Sequence, residues 1–408
     1  MGGRIMASTI NSSTSNGIVI TPDTSGEIEL QANGVTKAKI TANGLQDANG
    51  ASLRGGSFRN LIINGDMQIA QRRTSASGIT TTGYYTCDRW ETNIQTGGTW
   101  TMSQDSDVPS GQGFASSMKF ACTTANASLS TNSQMRVGQH IEAQNLQHLA
   151  FATVNAKKIT FSFWVKSNKT GTYNAWTTRQ DSGRMSSKQF TISSADAWEK
   201  KTLTFDGDTT GTIANDNGRG MEFNIVFAAG TDYTSGTSPN GTWQDLSGNN
   251  PNRYVGNVNL ADSTSNYIKI TGVQLEVGSG SSDFEFLPYD VQLARCQRYY
   301  EKSYNISQSA GTSTANGQEY FQVAGARSTN YGLYTTHYKV PKRASCTVTL
   351  YSQSGTSGYL SNGDSGANLG TGGVLFNGSE NMFVSKNTGS TIADGTVIAY
   401  QWTAESEL

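Results

Sequence analysis

Between Ile159 and Val165 every second residue is strongly apolar: Ile159, Phe161, Phe163 and Val165 alternate with Thr160, Ser162 and Trp164. A period of two sends successive side chains to opposite faces of an extended chain, so this run reads as a strand with one face in a core. Related patterns occur in "SSMKFACTT", "WEKKTLTFDG", "MEFNIVFAAG", "NYIKITGVQLEVG", "EYFQVAGAR", "SCTVTLYS" and "GTVIAYQWTAE", separated by runs of Gly, Ser, Asn and Asp. Many short strands between turn residues predict an all-β protein. A chain with 45 Gly and only 15% charged residues invites disorder, but 15 Phe, 17 Tyr and 7 Trp supply the apolar surface of a packed core. At 408 residues there is room for two or three domains.

The aromatic residues mark the first boundary, because none precedes Phe58. Residues 1–57 hold only short alternating pairs, Ile18/Ile20, Ile28/Leu30 and Ala38/Ile40, with Ala-Asn-Gly at 32–34, 42–44 and 48–50. Asn-Gly supplies the positive backbone angles of tight turns. Strands this short and small-sided do not close a core within one chain. The segment is therefore either a flexible leader or a stem in which several copies cover one another's apolar face. Kept strand alternation favours the stem, with roughly the first fifteen residues disordered unless a partner holds them.

From about 58 to 287 the strands suggest a two-sheet sandwich of jelly-roll type. One interruption, "GQHIEAQNLQHLAFA", is helix-like, with Ile141, Leu146 and Leu149 on one side. A second helix is expected in "PYDVQLARCQRYYEKSY" (Pro288–Tyr304), with Asp290 as N-cap and Leu293, Cys296 and Tyr300 on its inner face. Gln292, Arg295 and Arg298 point away from that face. Strands resume beyond it, which makes 288–303 a connecting helix and 304–408 a distal, sandwich-like β module.

Net charge is −1, so there is no electrostatic footprint for nucleic acid or an anionic membrane. No run reaches the roughly 20 apolar residues of a membrane helix, and "MGGRIMASTINSS" has no apolar signal core. Cys87, Cys122, Cys296 and Cys346 are scattered without metal-site spacing and read as buried free thiols. A protein made in a cytoplasm that acts elsewhere without secretion fits a particle released by lysis. There is no GxSxG, no phosphate-cradling Gly loop and no HExxH, so no enzyme is expected. His140 and His148 read as structural residues of one short helix. "FDGDTTGTIANDNG" (205–218) departs from a calcium loop at Thr210 and Asn217 and reads as a hairpin turn.

The segments "RNLIINGDMQIAQR", "YYTCDRW", "VGQHIEAQNLQHL", "KKITFSFWVKSNKTGTYNAW", "YIKITGVQLEVG", "FEFLPYDVQLARCQRYYEKSY" and "VIAYQWTAESEL" follow in order. Together they resemble a module of bacteriophage tail fibre and minor tail proteins with a carbohydrate-binding-like jelly roll, over roughly residues 58–408. "SGEIELQANGVTKAKITANGL" is similar to phage fibre shaft sequence. Cys87 stands where that family usually has a small residue. Asp88 and Arg89 read as a pair holding a loop beside a core Trp90.

The resemblance implies a virion protein made in the host cytoplasm: a homotrimeric tail fibre adhesin for bacterial surface polysaccharide, joined to other tail proteins through residues 1–57. It also implies a structural calcium at Asn64, Asp66 and Glu276. Glycan binding needs exposed rings for the apolar face of a sugar, with polar neighbours for its hydroxyls. Loop-placed candidates are Tyr173, Trp176, Arg179, Tyr233, Trp243 and Tyr254, while Trp164 and Trp198 read as core. A purely structural fibre or capsid decoration, a glycan depolymerase spike and a free-standing lectin remain open.

Overall fold

The protein is described by a computed structural model over residues 27–41, 44–48, 58–246, 248, 250–326, 331–386 and 391–408. The Ile18/Ile20 pair and the opening fifteen residues lie outside the described residues, as do Ala42, Asn43, Asn49 and Gly50 of the Ala-Asn-Gly repeats. The architecture is all-β, with β-sandwich sheets and few helices.

Ile28–Ala32, Val35–Thr41 and Gly44–Asp47 form a three-stranded antiparallel sheet. Asn33 (φ 53°) and Gly34 (φ 72°) make its first turn, the left-handed geometry expected of Asn-Gly. Directly paired residues share a face, so Ile28–Ile40, Leu30–Ala38 and Ile40–Leu45 put the apolar side chains together. The opposite face carries Lys39 bonded to Glu27 and Glu29, and Thr41 bonded to Gln46. Leu30, Val35, Ile40 and Leu45 are each more than two-fifths exposed.

Two facing antiparallel sheets follow. The six-stranded sheet runs Glu199–Phe205, Ile159–Ser167, Tyr267–Val277, Ser117–Thr124, Thr99–Asp105, Ser75–Ile79. The seven-stranded sheet runs Gln244–Asp245, Arg184–Ile192, Gly171–Arg179, Arg219–Ala229, Gln134–Glu142, Glu91–Gln95, Gly83–Tyr84. The chain crosses repeatedly between them, and their inner faces enclose Trp100, Met118, Phe120, Phe161, Phe163, Phe223, Ile225 and Leu275. Glu199–Phe205 and Arg219–Ala229 lie in different sheets, so 206–218 is a crossover between layers and not a hairpin turn. "GQHIEAQNLQHL" is also divided: the strand continues to Glu142, and only Ala143–Leu149 coils, as a 3-10 helix. Ile141 and His140 therefore belong to the strand, and Leu146 and Leu149 still face the core. The turn at 64–67 tucks under the strand Tyr267–Val277 at Gly65, where an added Cβ would sit 2.0 Å from the Val273 carbonyl.

The connecting helix spans Tyr289–Gln297. Pro288 is its N-cap, with no side-chain cap, and Asp290 sits in the first turn instead, where a carboxylate complements the helix dipole. Gln292 is buried, contrary to its expected outward placement, and Tyr300 begins the next strand, Tyr300–Lys302. The distal module is an eight-stranded sheet built on Val397–Glu405. That strand pairs with Tyr300–Lys302, Glu319–Gln322, Thr347–Tyr351 and Tyr359–Asn362. Its core holds Leu350, Leu360, Met382, Ile398, Tyr400 and Trp402. All four cysteines are free and buried.

Candidate functional site

The expected ring platform does not exist as drawn. Tyr173, Trp176 and Arg179 lie in the strand Gly171–Arg179, not in a loop. Tyr173 points into the main core and stacks at 5.7 Å on Phe190. Arg179 is fully buried, bonding Asp208 at 2.5 Å and the Thr210 and Thr212 carbonyls, so it pins the crossover 206–212. Trp243 is half-buried against Phe151 and donates to the Asp206 carbonyl at 2.7 Å. Trp176, Tyr233 and Tyr254 pack together with Met185 and Val226 outside the seven-stranded sheet. A ring enclosed in this way has no free face for a sugar. Conversely Trp164 and Trp198, expected in the core, are half-buried, and Trp198 donates to Asp107 at 3.0 Å.

What the fold does assemble is a polar trough on the outer face of the seven-stranded sheet. Alternate residues of Gln134–Glu142 and Arg219–Ala229 point outward: Arg136 and His140 on one strand, Glu222 and Asn224 on the next, with Glu222 opposite His140. Trp176 lies opposite Asn224, and Glu91 lies on the far side. His140 Nε2 contacts Glu91 at 3.0 Å, Asn224 donates to Glu222 at 2.7 Å, and Arg136 stands 3.6 Å from Glu222. Burial opposes the Glu222 charge, but Arg136, His140 and Asn224 hold its carboxyl below the usual range. Arg136 and Arg253 flank the Trp176 ring at 4.9 and 5.7 Å. His140 Nδ1, Arg136 Nε, Arg253 Nε, Asn174 Oδ1 and Trp176 Nε1 are buried and have no hydrogen-bond partner among the described residues. These atoms are closed from water, so a ligand reaches them only where the segment bearing Tyr233 and Tyr254 lifts from Trp176. The alternation of "QMRVGQHIE" and "MEFNIV" makes these residues outward-facing in sequence, but not which strands stand side by side.

Asn64, Asp66 and Glu276 have other partners. Asn64 brackets its own turn, donating to the Ile69 and Asp88 carbonyls and accepting from the Ile69 amide. Glu276 accepts from Ser282 and Gln274, and Asp66 accepts a 3.4 Å bond from Gln292 of the helix. Among the described residues no three His, Cys, Asp or Glu gather closely enough to hold a metal.

The segments that carry the resemblance meet elsewhere, at the joint of sandwich, helix and distal module. Arg89 does not pair with Asp88. It reaches Glu407, donates to the His140 carbonyl at 2.7 Å, and lies 3.5 Å from the Tyr299 ring centroid. Arg72 also bonds Glu407 and covers Tyr300 at 3.9 Å. Arg298 holds Glu142 through two bonds of 2.7 and 2.8 Å. Ile63, Ile69, Cys296, Tyr299 and Leu408 form the apolar floor.

Asp88 instead accepts from the Gln71 amide at 2.9 Å and side chain at 2.5 Å, and burial pushes its carboxyl up to about 6 despite Arg72. A folded value above the unfolded one means a contribution complete below the unfolded value, about 3.9, and lost as pH rises through about 6. The full effect is roughly 2–3 kcal/mol. The melting-temperature advantage of wild type over Asp88→Asn is accordingly expected to shrink between pH 4 and 7. Parallel curves would place the titration elsewhere.

No protein family matches the chain, and no curated protein does. Among solved structures, TmCBM61 in complex with β-1,4-galactotriose covers 54% of this chain and 99% of its own, at 11% identity and a TM-score of 0.28. A family 11 carbohydrate-binding module of a Clostridium thermocellum cellulosomal cellulase covers 50% and 98%, at 11% identity and 0.26. The enzymatically active domain of tailspike protein 4 of bacteriophage CBA120 covers 54% of this chain at 13% identity and a TM-score of 0.27. The match spans only 22% of that tailspike chain. Likenesses at these scores say nothing of what this chain binds.

Proposed function

We propose that this protein is a homotrimeric bacteriophage tail fibre adhesin that holds bacterial surface polysaccharide in the trough of the seven-stranded sheet, without catalysis. The trough's buried, unpartnered donors and acceptor carry the binding reading. Sugar hydroxyls complement such groups, and burial strengthens each bond formed. The stem sheet supports the copy number, since its apolar face has no cover among the described residues 27–41 and 44–48. Individual contacts of this kind are weak, and three copies raise the effective concentration at a repeating polymer. The order of motifs from Phe58 to Leu408 supports the phage assignment.

Trp176→Phe keeps a ring in the packed cluster and removes the unpartnered Nε1 donor together with part of the indole. On an array of bacterial polysaccharides, full-length protein is expected to bind, with Trp176→Phe and Arg253→Gln each weakening binding about tenfold, the loss of one charge-assisted or buried hydrogen bond. Unchanged binding by both variants would sink the trough. A second reading, a fibre that touches only other virion proteins, is favoured by the enclosure of Tyr173, Trp176, Tyr233 and Tyr254. It is the reading left standing if no polysaccharide binds.

A further inference from the structure

A cavity of about 540 Å³ opens where the sandwich meets the connecting helix. Its walls come from residues 58–63, from 139–148 at the end of a strand and its 3-10 helix, and from helix-side residues Arg295, Arg298 and Tyr299. The volume falls within the range of small-ligand sites, about 300–1,000 Å³. The wall has two characters. Leu61, Ile63 and Phe58 are apolar, and Phe58 is 56% exposed. Asn145 and His148 are polar and exposed.

The charges do not balance. Arg298 is neutralised by its two bonds to Glu142. Arg295 has no ion-pair partner among the described residues; its guanidinium donates one 3.4 Å bond to the Asn60 carbonyl and lies 6.0 Å from the Phe58 ring centroid. Burial lowers the Arg295 pKa, the direction expected of a cation withdrawn from water.

We infer that this cavity binds a sugar acid, a pyranose ring bearing a carboxylate. The carboxylate takes both prongs of the Arg295 fork. Ring hydroxyls meet the Asn145 amide and the His148 imidazole, and the C–H face of the ring lies on Phe58. An inorganic anion would leave the apolar wall and most of the volume unused. A neutral sugar would leave Arg295 with only the nearby Glu285 carboxylate, which it does not bond, as counter-charge. The inference does not rest on the trough: the two sites share His140 in their walls, but the groups proposed to bind the ligand differ.

Ligand-observed NMR titration of the full chain with glucuronate, glucose and acetate tests it. Glucuronate is expected to bind saturably and at least about tenfold more tightly than glucose or acetate, the difference made by one charge-assisted pair. Arg295→Gln is expected to lose that tenfold, and Phe58→Ala, at an exposed side chain that does not support the core, to weaken binding as well. Trp176→Phe should leave it unchanged. Equal binding of glucose or acetate, glucuronate binding that survives both cavity variants, or no glucuronate binding by the folded wild type would each overturn the inference. Loss of glucuronate binding in Trp176→Phe, with Arg295→Gln unaffected, would also overturn it by moving the sugar acid to the trough.

Discussion

Replacing Glu407 by alanine is expected to lower the thermal midpoint of the full chain by on the order of ten degrees. Arg89 is 0% exposed and the Glu407 side chain 4%, so the truncation strands a buried guanidinium that has lost its counter-charge. Breaking a buried pair from one side costs about 3–5 kcal/mol, and about 1 kcal/mol moves the midpoint of a domain of 150–250 residues by roughly 2–4 °C. The contact of Arg89 with Tyr299 is lost with it, whereas Arg72 over Tyr300 keeps a second carboxylate, Glu405 at 3.1 Å. The double change Arg89→Met with Glu407→Leu should recover much of the stability, since well-packed apolar residues can replace a buried pair. Circular dichroism melting measures both. A Glu407→Ala midpoint within a degree or two of wild type would show that the joint is held by its apolar floor alone.

The second large effect is expected in the stem. Wild-type protein should have three chain masses by light scattering, and Ile40→Asp should reduce it to one. Ile40 sits at the centre of the apolar face, paired with Ile28 on one side and Leu45 on the other. Burying such a side chain contributes about 1.5–3 kcal/mol per copy, and a carboxylate there adds desolvation and repulsion among the three copies. Removing residues 1–57 should have the same result, whereas Glu29→Gln, on the opposite face, should leave the mass unchanged. A full-length monomer would refute the trimer and the avidity that depends on it.

Period-two alternation made much of the sandwich legible, because strand and sidedness are local properties. It separated Phe161 and Phe163 from Thr160 and Ser162, and it placed Ile28, Leu30, Ala38 and Ile40 on one face of the stem. It was less informative where the fold folds back on itself. Tyr233 and Tyr254 sit among Gly, Ser and Asn and read as exposed, yet the segment around them lies down on Trp176 and buries all three rings. Trp176 itself faces outward, as its strand phase requires, so the error was to equate an outer face with solvent. Lys and Asp neighbours make the same distinction for Trp198, which leans on Asp107 at the surface. The trough was legible residue by residue and invisible as a group, because adjacency of Gln134–Glu142 and Arg219–Ala229 is a fact of topology. Arg89 shows the limit most plainly. Its neighbour in sequence, Asp88, was the natural partner to assign, and its actual partner is 318 positions away.

That separation bears on how the protein is made. At about 5–20 residues per second, the 318 residues between Arg89 and Glu407 take roughly 15–65 s to synthesise. Throughout that interval the end of the sandwich is unfinished, with Arg72, Arg89 and the residues around Leu408 lacking their partners. The stem, whose pairings span a few residues, is complete almost at once. If copies assemble through the stem as proposed, neighbouring nascent chains on one messenger can meet there while their joints are still ajar, and the chaperone demand falls on the joint.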